Sequence, residues 1–100
     1  MMNLVPTLKV LANDKRFKIL QWLKEPKKYF PSSEFDVEED GVYVGLIEKK
    51  SRLSQSTVSQ YLLQLQNAGL ISMERRGQWT FCKYNPTFVD GFIRALGQQL

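Results

Sequence analysis

Ser54-Gln55-Ser56-Thr57-Val58-Ser59-Gln60-Tyr61-Leu62, running on through Leu65 to Ala68-Gly69-Leu70, reads as one amphipathic helix that carries its own start and stop signals. Ser54 is a hydroxyl residue suited to an N-cap, and Gly69 suits the left-handed turn at a helix C-terminus. Val58, Tyr61, Leu62 and Leu65 follow the i, i+3, i+4, i+7 spacing of a buried face. At about 100° per residue, Ser56, Ser59, Gln60 and Asn67 collect on the opposite side, with Gln55 and Thr57 at its flanks. A merely solvated face more often carries Lys and Glu. Short uncharged groups that donate and accept hydrogen bonds suit base edges in a DNA major groove.

Immediately upstream, Val42, Tyr43, Leu46, Ile47 and Leu53 give another helical stripe, with Lys49, Lys50 and Arg52 near its end. Two amphipathic helices joined that tightly, the second with a polar uncharged outer face, form a helix-turn-helix. Downstream of Gly69 the period changes to two. Ile71, Met73 and Arg75 lead into Arg76-Gly77-Gln78, after which Trp79, Phe81 and Lys83 alternate with Thr80, Cys82 and Tyr84. Two strands around a glycine turn make a hairpin, and a hairpin behind such a helix is a wing. Arg75 and Arg76 at its tip are expected to reach a phosphate backbone or a minor groove.

Farther out, Leu4, Leu8 and Leu11, with Val5 and Ala12, mark a short first helix. Asn13 suits the cap of a second, carrying Phe17, Ile19, Leu20, Trp22 and Leu23 and stopping before Pro26. From Lys27 to about Asp40 runs a Pro-, Ser- and acid-containing connection, where Phe35 and Val37 alternate with charges as in a short edge strand. Asn85-Pro86 opens a last helix whose Phe88, Val89, Phe92, Ile93, Leu96 and Leu100 span an arc of roughly 140°. So broad an apolar face predicts pairing with a second copy through the first and last helices. Leu4, Leu8, Leu11, Phe88, Phe92, Ile93 and Leu96 are the residues expected in that seam. The architecture expected is mostly α with a small β-hairpin wing. It is a single winged helix-turn-helix domain over residues 1–100, in the order helix, helix, short strand, helix, helix, strand, strand, helix.

One hundred residues support one modest core, and 43% hydrophobic with 12% aromatic residues argues for a folded chain over a disordered one. The net charge of +4 is unevenly spread. Residues 1–33 carry +5, the acidic stretch Glu34, Asp36, Glu38, Glu39 and Asp40 carries −5, and residues 41–85 carry +4. The polar helix therefore lies in a basic half, which favours a polyanionic partner. No apolar run approaches the roughly 20 residues of a membrane span, the first residues do not read as a secretion signal, and a lone Cys82 fits a reducing compartment. A cytoplasmic protein that binds double-stranded DNA as a homodimer, with no membrane contact, is the expectation.

These residues resemble the ArsR/SmtB family of small dimeric winged-helix repressors. The likeness is specific over about residues 41–85, from Leu53-Ser54-Gln55-Ser56-Thr57-Val58-Ser59-Gln60-Tyr61-Leu62 through Ala68-Gly69-Leu70-Ile71 to Arg75-Arg76-Gly77. It implies dimerisation through the first and last helices and operator binding that an inducer relieves. The sensor departs from the family. Metal-sensing members carry a cysteine-x-cysteine pair on the helix before the reading helix, where this chain has Val42 and Val44. Other members bind zinc on the last helix through His and carboxylates, but this chain has no histidine and only Asp90 there. Borderline and soft metals want thiolate or imidazole. Neither a metal response nor a cofactor is expected.

Two other sensor motifs fail on chemistry. Asp36-x-Glu38-x-Asp40-Gly41 opens like an EF-hand loop, but Ile47 stands where the bidentate Glu is required. Cys82 has no second cysteine to resolve a sulfenic acid. The 27–40 connection, with Tyr29, Phe30 and Phe35, is the remaining candidate surface for an effector or protein partner. Catalysis is the weakest reading, for want of histidine, a phosphate-binding glycine loop, or a nucleophile beside a base. The rival is a winged-helix protein–protein adaptor or anti-regulator without DNA binding, which would show apolar or acidic groups on the reading face. Only Leu63 fits that description, and it could instead touch a thymine methyl or pack near the partner subunit. The DNA-contacting set is therefore expected to be Gln55, Ser56, Thr57, Ser59 and Gln60 for bases and register. Ser54 and its helix N-terminus would hold a phosphate, and Lys49, Lys50, Arg52, Arg75 and Arg76 would supply the salt-dependent attraction.

Overall fold

A computed structural model describes residues 2–100 and places six helices and three strands among them. Helix α1 (Val5–Leu11) carries proline in its first turn. Helix α2 (Asp14–Lys24) is capped by Asn13, whose Oδ1 accepts from the amides of Lys15 at 2.9 Å and Arg16 at 3.0 Å. It buries Ile19, Leu20, Trp22 and Leu23. Phe17, assigned to that face from sequence, is 46% exposed. At about 100° per residue it sits roughly 140° from the centre of the buried arc, so its apolar character reflects something other than this core.

Pro26 then starts a one-turn helix, α3 (Pro26–Tyr29), inside what reads in sequence as a plain connection. Phe30 follows it into the core, edge-on to Trp22 with ring centroids 6.2 Å apart. No strand forms at Phe35 and Val37. Asp36 prevents it by bonding to its own loop, Oδ1 accepting from Glu38 N and Glu39 N at 3.1 Å and its carbonyl from Asp40 N at 2.7 Å. Such side-chain turns compete with a strand ladder.

The short strand lies five residues later, at β1 (Val42–Tyr43), in residues whose spacing reads as helical. Its partner decides this. Val42 pairs with Cys82 and Tyr43 with Phe81 in the last strand. Gly41, at φ +94°, permits the approach, since a Cβ there would lie 2.8 Å from the Cys82 carbonyl oxygen. Helix α4 (Val44–Ser51) begins only after this bridge and ends at Arg52, in the left-handed region at φ 60°.

Helix α5 (Gln55–Asn67) follows after three residues and is capped by Ser54, whose Oγ accepts from Thr57 N at 3.2 Å. It stops at a paired C-terminal motif: Leu70 N donates to Leu65 O at 3.0 Å, and Gly69 N to Gln66 O at 2.9 Å. Gly69 has φ +87°, and a Cβ there would meet the Phe88 ring at 2.9 Å. Strands β2 (Ile71–Arg76) and β3 (Trp79–Tyr84) form the hairpin, giving an antiparallel sheet in the order β1-β3-β2. Asn85 joins the next helix to the last turn of α5. Its Oδ1 accepts from Phe88 N, while its Nδ2 donates to the Gly69 carbonyl at 3.0 Å.

Helix α6 (Pro86–Gln99) buries Val89 and Phe92. The core gathers Ile19 and Leu23 of α2, Ile47 of α4, Val58, Leu62 and Leu65 of α5, and Val42, Ile71 and Cys82 of the sheet. The observed order matches the winged helix-turn-helix expected from sequence, with α3 added and the short strand shifted. No helix among the described residues is long and apolar enough to cross a membrane.

Candidate nucleic-acid interface

The reading face of α5 is set by what the helix buries. With Val58, Leu62 and Leu65 wholly inside, the opposite side must face out, and Gln55, Ser56, Ser59, Gln60, Leu63 and Asn67 are exposed. Not one residue of α5 is charged. The polar set is not uniformly available, however. Thr57 is half-buried, and its Oγ1 accepts from Ser54 Oγ at 2.8 Å while its amide donates back to the same oxygen. Both hydroxyls therefore belong to the cap first. Gln64 also has a partner, its Oε1 accepting from Arg16 Nη1 at 3.0 Å.

Strand alternation places the two wing arginines on opposite faces. Ile71, Met73 and Arg75 share a face with Thr80, Cys82 and Tyr84, and the burial of Ile71 and Cys82 shows that this face is turned toward α5. An open cleft of about 450 Å³ lies between helix and wing, lined among others by Gln55, Ser59, Gln66, Arg75, Gln78 and Thr80. Among the described residues Arg75 has no carboxylate partner; its Nε donates to the Gly77 carbonyl at 3.0 Å.

Arg76 points to the outer face and differs from the expectation. Its Nη1 lies 2.9 Å from Asp40 Oδ1 and its Nε 2.9 Å from Glu74 Oε1. Glu74, then Asp40, hold the guanidinium's pKa above its ordinary value, and Arg76 in turn lowers that of Glu74. A phosphate would have to displace these carboxylates. Around them Phe35, Tyr43, Trp79 and Phe81 form an aromatic cluster, with Phe35 edge-on to Phe81 at 4.8 Å. Lys83 Nζ donates to the Glu39 carbonyl at 2.8 Å. The 27–40 connection thus straps the back of the wing. Phe30 packs inward and Phe35 lies half-buried against the wing, while Tyr29, Phe30 and Pro31 still line an open depression of about 270 Å³ with Leu46 and Lys50.

Among the remaining cations, Lys49 and Arg52 are exposed beside the turn into α5. Lys50 leans the other way, with Nζ 5.3 Å from the Trp22 ring centroid and 5.6 Å from that of Tyr29. Sequence reasoning passed over two lysines. Lys15 and Lys18 of α2 share a surface depression with Ser51 and Leu53, at the turn that leads into α5. The signal was the basic run from Lys15 to Lys18. Arg16, in that same run, is structural: its Nε donates to Val10 O at 2.7 Å and its guanidinium lies 5.3 Å from the Tyr61 ring centroid.

Met2, ahead of α1, reaches the end of α6, its carbonyl accepting from Gln99 Nε2 at 3.3 Å. The outward apolar groups of α1, of α6 and of its C-cap are Val5, Leu8, Ile93 at 59% exposure, and Leu100. Leu4 and Phe92, placed in the seam from sequence, are already buried within one chain, and Leu11, Phe88 and Leu96 are half-buried. Cys82 is fully enclosed, and burial pushes its thiol up to about 12.

A capped, charge-free helix held outward beside a β-hairpin defines a winged helix-turn-helix transcriptional regulator. Comparison with known proteins agrees. The chain is 46% identical over 83 residues to YbzH of Bacillus subtilis (strain 168), an uncharacterized HTH-type transcriptional regulator, covering 82% of this chain and 83% of that one. It is 32% identical over 80 residues to a Halobacterium salinarum protein assigned by name as an arsenical resistance operon repressor, ArsR2. That match covers 80% of this chain and 56% of the relative. Among solved structures, HlyU from Vibrio cholerae N16961 superposes with a TM-score of 0.65 at 28% identity, covering 95% of this chain and 88% of its own. No protein-family model matches. The chain belongs to the ArsR-type winged-helix transcriptional regulators, and it is not an enzyme.

Proposed function

We propose that residues 1–100 form a single DNA-binding domain acting as a dimeric, cytoplasmic repressor on an inverted-repeat operator. One observation carries this reading: the uncharged donor–acceptor face of α5 stands free of the core, and across a cleft from it lies Arg75, which has no ion pair among the described residues. Two copies of α5, related by a two-fold axis, enter successive major grooves about 34 Å apart. Gln55, Ser56, Ser59 and Gln60 contact base edges, while Thr57 fixes the register of the first turn. Ser54 caps that turn, so that its free amides receive a phosphate. Lys49, Arg52 and Arg75, joined by Lys15 and Lys18, supply the sequence-independent attraction. Lys50 and Arg76 join only by leaving their aromatic and carboxylate neighbours.

Pairing uses Leu8, Ile93 and the neighbouring apolar groups of α1 and α6, with Leu4 and Phe92 supporting them from below. Metal is not the signal in this reading. Val42 and Val44 offer no donor atoms, the chain has no histidine, and its one thiol is enclosed and protonated. Selecting bound fragments from genomic DNA with the purified protein tests the proposal. Enrichment of a shared inverted repeat is expected, and fragments with no common sequence would overturn it. Repeating the selection with candidate small molecules identifies an inducer by loss of that enrichment.

A further inference from the structure

Leu63 is the one large hydrophobic residue of α5 left exposed among the described residues, at 53%, whereas Leu62 and Leu65 on the same helix are wholly buried. It lies near the middle of the polar face. Its surface neighbours one turn away are Ser59 and Gln60 on one side and Gln66 and Asn67 on the other, all uncharged. It also lines the cleft shared with Arg75. The other exposed large hydrophobics lie on the wing or on the segments leading through α1, α2 and α6. A lone leucine ringed by amides and hydroxyls is too small to be a protein-docking patch, which needs contiguous apolar area. In a major groove the matching apolar feature is the C5-methyl group of thymine, the one hydrophobic mark on a base edge.

We propose that Leu63 is a specificity-determining residue that reads a thymine methyl in each half-site. This role presupposes the duplex contact proposed above. The position of the thymine follows from helix geometry. Leu63 lies about 4.5 Å along the axis from Gln60 and about 6 Å from Ser59 at 1.5 Å per residue. Base pairs are spaced by about 3.4 Å. The thymine falls one or two base pairs from the base that Gln60 reads.

The test replaces each operator thymine in turn with deoxyuridine, which removes the methyl and leaves every hydrogen-bonding group in place. For the wild-type chain, one thymine per half-site weakens binding by about fourfold on replacement, the worth of one buried methyl group. For Leu63→Ala, binding to the unmodified operator is weaker and the same replacement costs nothing further. The exposed position leaves the thermal midpoint of the variant close to wild type, which checks that it folds. Uniform insensitivity to deoxyuridine, or an equal loss in wild type and Leu63→Ala, overturns the assignment while leaving DNA recognition intact. A chain that selects no sequence overturns the proposed function itself, and this inference with it.

Discussion

Arg76 and Asp40 are 36 positions apart in sequence, and their side chains meet at 2.9 Å across the back of the wing. The contact ties the acidic connection to the hairpin and holds Arg76 on the face that strand alternation turns away from α5. The split between Arg75 and Arg76 has a measurable consequence. Arg75→Ala is expected to reduce the slope of log affinity against log salt by about 0.9, the value of one phosphate contact. Arg76→Ala reduces it less. Asp40→Asn, which frees Arg76, tightens binding to any sequence at low salt. Titrations at several salt concentrations on operator and random duplexes measure all three, and equal slopes for the two arginine variants would count against the division.

Gln60 carries both a donor and an acceptor on the exposed face, about 60° around the helix from Leu63. Gln60→Ala should relax preference at one operator position, with a discrimination loss of about 1–3 kcal/mol there and little change elsewhere. Binding to a set of operators altered at single positions reads this directly. A variant with an unchanged preference at every position would show that Gln60 contacts no base.

The ends of α5 should matter to stability before they matter to DNA. Ser54→Ala removes the cap accepted from Thr57 N and is expected to cost about 1 kcal/mol. Gly69→Ala combines a left-handed φ of +87° with a ring contact at 2.9 Å from Phe88, so a loss above about 1 kcal/mol is expected. Urea unfolding of the two variants, with unchanged slopes, checks both figures.

Neighbours on α6 should behave differently. Phe92 is 4% exposed, so Phe92→Ala is expected to destabilise the fold by about 3–5 kcal/mol. Ile93 is outward, and Ile93→Glu should leave the chain folded while shifting it from dimer to monomer in sedimentation. Operator affinity falls with it, because the two half-sites are no longer bound together. A folded Ile93→Glu chain that remains dimeric would place the seam elsewhere.

The Cys82 thiol predicts an alkaline effect. Its folded pKa of about 12 lies above the ordinary value of 9.0, because burial opposes the thiolate. The unfolded chain therefore loses this proton first as pH rises. The stability owed to the neutral thiol is complete below about pH 9 and is lost between about pH 9 and pH 12. Cys82→Ala should show a shallower decline over that window in denaturant titrations. Below it, the native thiol should resist alkylating reagents that label the unfolded chain at once.

Much of the fold was legible because its signals are local. A helix cap acts within three residues, a hairpin turn within four, and a helical face repeats within seven. Asn13, Ser54, Gly69 and Asn85 therefore mark their helix ends from composition alone, and the structure finds each of them bonded as its residue type allows. The outer face of α5 was legible for the same reason.

Contacts between distant segments were not. Val42 and Tyr43 suit a helical stripe until Phe81 and Cys82, almost forty residues away, offer them a ladder. The adjacent Arg75 and Arg76 differ only because Asp40 waits on one side of the sheet and α5 on the other. Periodicity gives the spacing of apolar groups along a helix, but it does not say which of them the rest of the chain will cover. By itself the sequence determined the five longer helices, the hairpin, the capping residues and the chemistry of the reading face. Tertiary structure alone decided that Phe92 is enclosed and Ile93 free, that Lys50 leans on aromatic rings, and that the acidic loop holds the wing. Those outcomes depend on which distant groups meet in space, and no local rhythm of residues encodes that.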